Sequence, residues 1–206
     1  MVEIAPGVRL DASRRIVEFD ARVSPMIIGG AHGRDRFLLE QFVCLAGTKD
    51  HESVVVTDVK PSVIHAALLA AGAVPGAPVT WIDEADTVRI VPPSGSPVRI
   101  EFVLASGAII DPRAWVIDAE SGEPLDGARG GWVFAGSTMQ PSRGTMFYEA
   151  DAAGTVIGLA GFGSETIAWT TPISDQEEEG ELRWIAAEGV MPPGDTPVRV
   201  RVIVER

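Results

Sequence analysis

The chain has one cysteine, three histidines and one tyrosine in 206 residues, and it has no uninterrupted apolar run of membrane-spanning length. Each scarcity excludes something. Cys44 alone cannot close an internal disulfide, and it cannot hold an iron–sulfur cluster, which needs several thiolates. Without a long apolar run no transmembrane helix is expected. Met1-Val2-Glu3-Ile4-Ala5-Pro6-Gly7 lacks the basic and hydrophobic regions of a signal peptide, so a natural start at Met1 implies the cytoplasm. If Met1 replaces a removed signal, the location is extracytoplasmic. Basic residues are outnumbered, 17 against 29 acidic, for a net charge of −12 and a pI near 4.6. A phosphate backbone is repelled by such a surface, and Arg14-Arg15 and Arg34-Asp35-Arg36 are too small and mixed to reverse that, so neither nucleic acid nor anionic membrane is an expected partner.

What is present suits one soluble domain: 46% of the residues are hydrophobic, enough for a core without staples at this length. The chain is organised around residues 50–72. Ser53 to Thr57 carries three consecutive valines, an apolar β-branched run that reads as an interior strand. Asp58, Lys60, Pro61 and Ser62 supply turn and capping chemistry for a helix starting at Pro61 or Ser62. Gly72 can end it in the left-handed conformation, with Pro75 and Pro78 barring continuation. Val63, Ile64, Ala67, Leu68 and Ala71 form one apolar stripe, and Ala66, Leu69 and Ala70 make the opposite face nearly as apolar, so the helix is expected to be buried on more than one side.

Upstream, Val8 to Asp11 and Arg15 to Val23 read as a β-hairpin, and Phe37 to Ala46 as a strand paired with Ser53 to Thr57 through a Gly47-to-His51 turn. The glycine-rich run 29–33 around His32 reads as a permissive turn rather than an anion nest, because no phosphate-loop lysine or helix follows. Downstream, Val79 to Ile82 and Val88 to Val91 flank an acidic turn. The run Pro92 to Leu104 is echoed at a fixed offset by Pro192 to Val204, each a proline-introduced strand, and a weaker echo links Phe42-Val43-Cys44 with Trp132-Val133-Phe134. Segments 114–118, 131–135, 145–150, 155–161 and 166–170 read as strands joined by hairpins. Gly158-Leu159-Ala160-Gly161-Phe162-Gly163 has the wrong order for a dinucleotide fingerprint, and the glutamate block 175–181 reads as a solvated loop rather than a calcium site.

Three motifs carry a family resemblance. Cys44-Leu45-Ala46-Gly47-Thr48-Lys49-Asp50-His51-Glu52-Ser53, Val56-Thr57-Asp58-Val59-Lys60-Pro61-Ser62 and His65-Ala66-Ala67-Leu68-Leu69 resemble the signature of the YdjY-domain family. Gly131-Trp132-Val133-Phe134-Ala135-Gly136-Ser137, with Tyr148, Asp151, Gly154 and Val156-Ile157-Gly158, is similar to its C-terminal half. The resemblance spans nearly the whole chain. It implies a largely uncharacterised bacterial family often attached to export signals, and it brings no established activity. A ferredoxin-like label carried by some members conflicts with the single cysteine.

Two readings of the histidines stand side by side. His51, Glu52, Asp58 and His65 could be drawn around a divalent metal, as in a metal-dependent hydrolase-like enzyme, since the strand's end and the helix's first turns are neighbours. Alternatively both are structural, His65 bonding to Asp58 or Glu52 and His51 to Asp50 or the Thr48 carbonyl. Cys44 reads as an inert core thiol, and no Ser-His-Asp set or nucleophile elbow is present. Trp115, Trp132, Phe134, Tyr148, Phe162, Trp169 and Trp184 read as core packing or as an exposed recognition cluster. The expected fold is α+β, mainly antiparallel β-sheet with one principal helix over about 61–71. It forms one domain, 1–206, with a helix-bearing half 1–104 and a related β-rich half 105–206. The leading function is a non-catalytic binding or interaction module with a protein or small-molecule partner and no cofactor, the metal enzyme being the alternative. A third reading is an assembly protein that forms homo-oligomers strand edge to strand edge.

Overall fold

The computed structural model describes residues 1–27, 37–85, 87–125, 130–142, 144–173 and 183–206. The glycine-rich run around His32 and the acidic loop 175–181 lie outside the described residues. Strands β1 (Val2–Ala5), β2 (Val8–Asp11), β3 (Ile16–Val23), β4 (Gln41–Leu45) and β5 (Ser53–Thr57) precede helix α1 (Pro61–Ala70). Short strands β6 (Pro75–Ala77), β7 (Thr80–Glu84), β8 (Thr87–Val91) and β9 (Ser94–Gly95) lead to the long β10 (Pro97–Leu104). Then come β11 (Ile109–Ile110), β12 (Val116–Asp118), β13 (Trp132–Val133), β14 (Met139–Ser142), β15 (Thr145–Tyr148), α2 (Glu149–Ala153), β16 (Thr155–Gly158), β17 (Ala168–Trp169), β18 (Trp184–Ala186) and β19 (Pro197–Val204).

An eleven-stranded sheet runs in the order β16-β4-β5-β3-β19-β10-β13-β17, with β2, β1 and β11 at its side. Its two ends meet. Gly158 N–H donates to the Ile167 carbonyl at 2.9 Å and Ile167 N–H to the Val156 carbonyl at 2.9 Å, with a parallel bridge between Ile157 and Ile167. The sheet is therefore nearly a closed barrel, which leaves few free backbone groups along its ends. The two proline-led strands of the sequence echo are neighbours at its centre, β10 and β19 pairing antiparallel with Glu101 opposite Arg201. Pairing on the two sides of that ladder is alike. β19 pairs with β3 and β3 with β5, which runs parallel to β4; β10 pairs with β13 and β13 with β17, beside the parallel Ile157–Ile167 bridge.

The expected hairpin β2–β3 forms, Asp11 opposite Ile16 and Val8 opposite Phe19, and β5 is buried throughout. The partnership of β4 is different from the one the sequence suggested. It runs parallel to β5, Gln41 beside Ser53 and Leu45 beside Thr57, so the sheet is mixed rather than simply antiparallel. The antiparallel side of β4 is taken by β16, Thr155 opposite Cys44, a long-range pairing that local turn chemistry cannot signal. A short 3-10 turn, Asp50–Glu52, carries the chain back. The Asp50 carboxylate accepts from Gly47 N–H at 2.8 Å and Ser53 Oγ donates to the Lys49 carbonyl at 2.8 Å.

Helix α1 ends at Gly72 as expected. Ala73 N–H reaches the Leu68 carbonyl and Gly72 N–H the Leu69 carbonyl, with Gly72 at φ +82°, a Schellman ending. Its burial is one-sided, a correction to the two-sided expectation: Pro61, Ile64, Ala67 and Leu68 are buried, while Ala66, Leu69 and Ala70 face solvent. Alanine is tolerated on a wet face, so composition overstated the burial. The aromatics settle as core. Trp115, Trp132, Phe134, Trp169 and Trp184 are buried, and the Trp132 ring lies 5.3 Å from Phe42 and 5.0 Å from Trp169, both edge-on. Segment 145–150, read as strand, splits at Tyr148 into β15 and the short helix α2. Gly154 closes α2 in the left-handed conformation.

Candidate functional site

The polar side chains gather where α1 meets α2 and β15. No side chain of α1's own N-cap, Lys60, bonds to the helix. The cap comes from elsewhere in the chain, because the Asp151 carboxylate of α2 accepts from Ser62 N–H at 2.8 Å and from Ser62 Oγ at 2.6 Å. One acidic group thus satisfies an unpaired donor at the helix's positive end. One turn further on, His65 Nδ1 lies 3.0 Å from the Tyr148 hydroxyl. That hydroxyl donates to the Gly136 carbonyl at 3.0 Å and lies 3.1 Å from Thr166 Oγ1. With the phenol proton on Gly136, neutral His65 directs its Nδ1–H to the phenol oxygen. The imidazole also stands edge-on to Phe134 with ring centres 4.8 Å apart.

Glycine at 136 is required here. Its φ is +87°, and a Cβ would sit 2.6 Å from Pro75 Cβ and 3.5 Å from His65 Cε1. Ser137 follows at φ +54°, and its hydroxyl accepts from Ala150 N–H at 3.1 Å, fixing the start of α2. Thr138 Oγ1 and Gln140 Nε2 both donate to Glu149. Burial pushes the His65 imidazole below its ordinary range, against a smaller opposing pull from the Gly136 carbonyl. It pushes the Tyr148 phenol up to about 12. Near neutral pH the pair is an uncharged imidazole bonded to a protonated phenol.

The other predicted residues lie apart from this cluster. His51 is in the 3-10 turn between β4 and β5, and its Nε2 meets Glu52 Oε1 at 3.0 Å in place of the expected Asp50 or Thr48. Glu52 and Glu40 share Lys49, whose Nζ is 3.4 and 3.0 Å from them and 4.1 Å above the Phe162 ring. Burial and the neighbouring Glu52 raise the Glu40 carboxyl to about 7. Asp58 pairs at the surface with Arg22 at 3.0 Å. The structure therefore brings His51 to Glu52, but it does not bring His51, Asp58 and His65 together, because Tyr148 and Arg22 occupy the latter two. Among the described residues no group of three or more histidine, cysteine, aspartate or glutamate side chains is arranged to hold a metal ion. The expected His65 bond to Asp58 or Glu52 is likewise replaced by the bond to Tyr148. Cys44 is buried, its thiol 3.7 Å from the Asp50 carboxylate.

Reasoning from residue types missed Tyr148 and Asp151 as partners of α1, and Thr166 as a partner of Tyr148. The signal was present in the motifs. Ser62, His65, Gly136, Ser137, Tyr148 and Asp151 all belong to the stretches that carried the family resemblance, and the fold assembles them at one junction. Gly154 extends the pattern: its Cβ would fall 2.1 Å from Thr48 Oγ1, so the end of α2 lies against the Gly47–Thr48 turn. A separate groove of about 450 Å³, lined by Ala114, Ile117, Pro124, Ala186, Glu188 and Val190 among others, shares no residue with this junction.

No helix among the described residues is long and apolar enough to cross a membrane. No curated protein matches the chain, and no solved structure does. The family model of the YdjY domain matches residues 8–203. That span takes in the barrel from β2 to nearly the end of β19 together with the α1–α2 junction, and the chain belongs to the YdjY-domain family.

Proposed function

We propose that the chain is a non-catalytic binding or interaction module whose partner is a protein. One observation carries the reading: the side chains best suited to chemistry, Ser62, His65, Tyr148 and Asp151, direct their polar atoms at one another and at the backbone, while several large apolar side chains beside them are exposed. Met139 stands opposite Tyr148 in the β14–β15 hairpin, and Met146 opposite Pro141. Met139, Met146 and Phe147 are exposed, as is Leu69 one turn beyond His65 on α1. Flexible methionines on an exposed hairpin adapt to a protein surface. A small molecule would be better served by an enclosed cavity.

The reading is tested by elemental analysis of protein purified without an affinity metal, together with His51→Ala and His65→Ala variants. The expected result is no stoichiometric metal in any of the three, with His65→Ala lowering the melting temperature because it removes one of the three partners of the Tyr148 hydroxyl and the imidazole's packing on Phe134. Stoichiometric metal lost in both variants would overturn it and favour a metal-dependent hydrolase.

A further inference from the structure

Hairpin β7–β8 stands away from the barrel and pairs with nothing else among the described residues. Its composition, Thr80-Trp81-Ile82-Asp83-Glu84 and Thr87-Val88-Arg89-Ile90-Val91, is that of strands made to be covered. None of these residues is buried. All of β8 is exposed, Val88 and Ile90 being 52% and 43% accessible. The root is anchored: Val79 is buried, and Trp81 Nε1 donates to the Gly161 carbonyl at 3.1 Å. Beyond that anchor the hairpin is a two-stranded ribbon, marginal by itself in water, whose outer edge offers unpaired N–H and C=O groups.

We propose that the free edge of β8 is a self-association surface, and that its occupant is β8 of a second copy of this chain, joined antiparallel about a two-fold axis. Register and charge both favour the second copy. Centred on Arg89, the pairing sets Val88 opposite Ile90 and Thr87 opposite Val91, and by symmetry does so twice. The strand is apolar apart from Thr87 at its start and Arg89, whose Nε lies 2.7 Å from its own Glu84, so the two arginines that face each other arrive as neutralised pairs. Among the described residues, the acidic side chains of the hairpin, Asp83 and Glu84, sit on β7, away from the joining edge. The product is a four-stranded sheet, β7-β8-β8-β7, in which Trp81, Val88 and Ile90 share one face, following their cross-strand pairing. That meets the strand count an isolated sheet needs to be stable, and a two-fold contact closes at the dimer instead of growing into fibres.

The experiment is sedimentation velocity on the full chain from about 1 to 500 μM at moderate salt, a range that brackets weak to moderate association. Three proteins are compared: wild type, Ile90→Lys and Met146→Lys. Ile90→Lys places an ammonium group opposite Val88 at both symmetric positions of the pairing and leaves the barrel untouched. Met146→Lys alters the exposed face proposed for the partner protein and not this edge. The expected result is a concentration-dependent dimer for wild type and Met146→Lys, and association weakened at least about tenfold in Ile90→Lys. Because each chain carries a net charge of −12, added salt should tighten the wild-type dimer. A wild-type protein that is monomeric across the range overturns the proposal, as does a dimer that survives Ile90→Lys. A dimer lost only in Met146→Lys also overturns it, moving self-association to the other face.

Discussion

Asp151 and Ser62, 89 positions apart in the chain, are joined by two hydrogen bonds from one carboxylate, to the Ser62 amide at 2.8 Å and to its hydroxyl at 2.6 Å. A helix usually receives its cap from the residue just before it. Here the cap is tertiary, so α1 reaches full stability only when α2 has docked. Asp151→Ala should lower stability by about 1–2 kcal/mol, the usual worth of a cap, while Asp151→Asn, which keeps one acceptor, should lose less. Urea denaturation midpoints of the two variants give the comparison. Equal losses would mean that the charge, and not the acceptor, matters.

Tyr148→Phe removes a hydroxyl that serves three partners, His65 Nδ1, the Gly136 carbonyl and Thr166 Oγ1. Leaving such groups unpaired costs about 1–3 kcal/mol. The loss should shrink when His65→Phe is added, since the orphaned imidazole then disappears as well. A double-mutant cycle by chemical denaturation reads the coupling, and strict additivity would show that the two side chains do not depend on each other.

How much of this arrangement the sequence disclosed depends on the distance over which each contact acts. The β5 strand, helix α1 and its Gly72 ending were legible because each is set by neighbours in the chain: three valines, a proline at the first turn, a glycine after the last. The parallel run of β4 beside β5 was not, because it depends on β16 claiming the other edge of β4 from over a hundred residues away. His65 could be marked as the lone polar group on an apolar helix, yet its partner could not be named. Asp58 and Glu52, near it in the chain, were the partners the sequence suggested, and Tyr148 comes to it only through the tertiary fold. The helix α2 hid in a strand-like run because its cap, Ser137 Oγ, lies across a turn.

Gly154→Ala should be among the more damaging single-methyl changes in the chain. The residue sits at φ +78°, and an added Cβ would fall 2.1 Å from Thr48 Oγ1 and 2.6 Å from Thr48 Cβ. Backbone strain alone accounts for about 1 kcal/mol, and the clash adds to it. Pairing the change with Thr48→Gly should recover the steric part and leave the strain. Thermal melts of the single and double variants separate the two contributions; no recovery in the double variant would remove the clash from the account.

Gln41 is fully buried in β4, and neither atom of its amide has a partner among the described residues. An unpaired buried amide is a burden that an apolar residue of similar shape does not carry. Gln41→Met should therefore leave stability unchanged or raise it by about 1 kcal/mol. A loss of more than about 1 kcal/mol in guanidinium unfolding would show that the amide makes bonds worth keeping.

Stability should also fall as the pH rises toward neutrality, and Glu40 is the reason. Its carboxyl is raised from the ordinary 4.5 to about 7 by burial and by the neighbouring Glu52. The folded state thus holds a proton that the unfolded chain releases first. A raised acid contributes its stabilisation in full below the ordinary value and loses it as the pH climbs through the folded one, so the window runs from about 4.5 to about 7. Glu52 is lowered instead, so its effect falls below that window and does not mask it. His65 acts with opposite sign. Held below its ordinary 6.5 by burial, it loses stabilisation as the pH falls from that value, which partly offsets Glu40 in wild-type protein. Glu40→Gln removes the carboxyl together with its interaction with Glu52 and leaves His65 in place. The melting temperature of wild type minus that of Glu40→Gln should decline from pH 4.5 to pH 7.5. A difference that stays level across that range would mean that Glu40 titrates as an ordinary surface carboxylate and that Lys49 alone neutralises it.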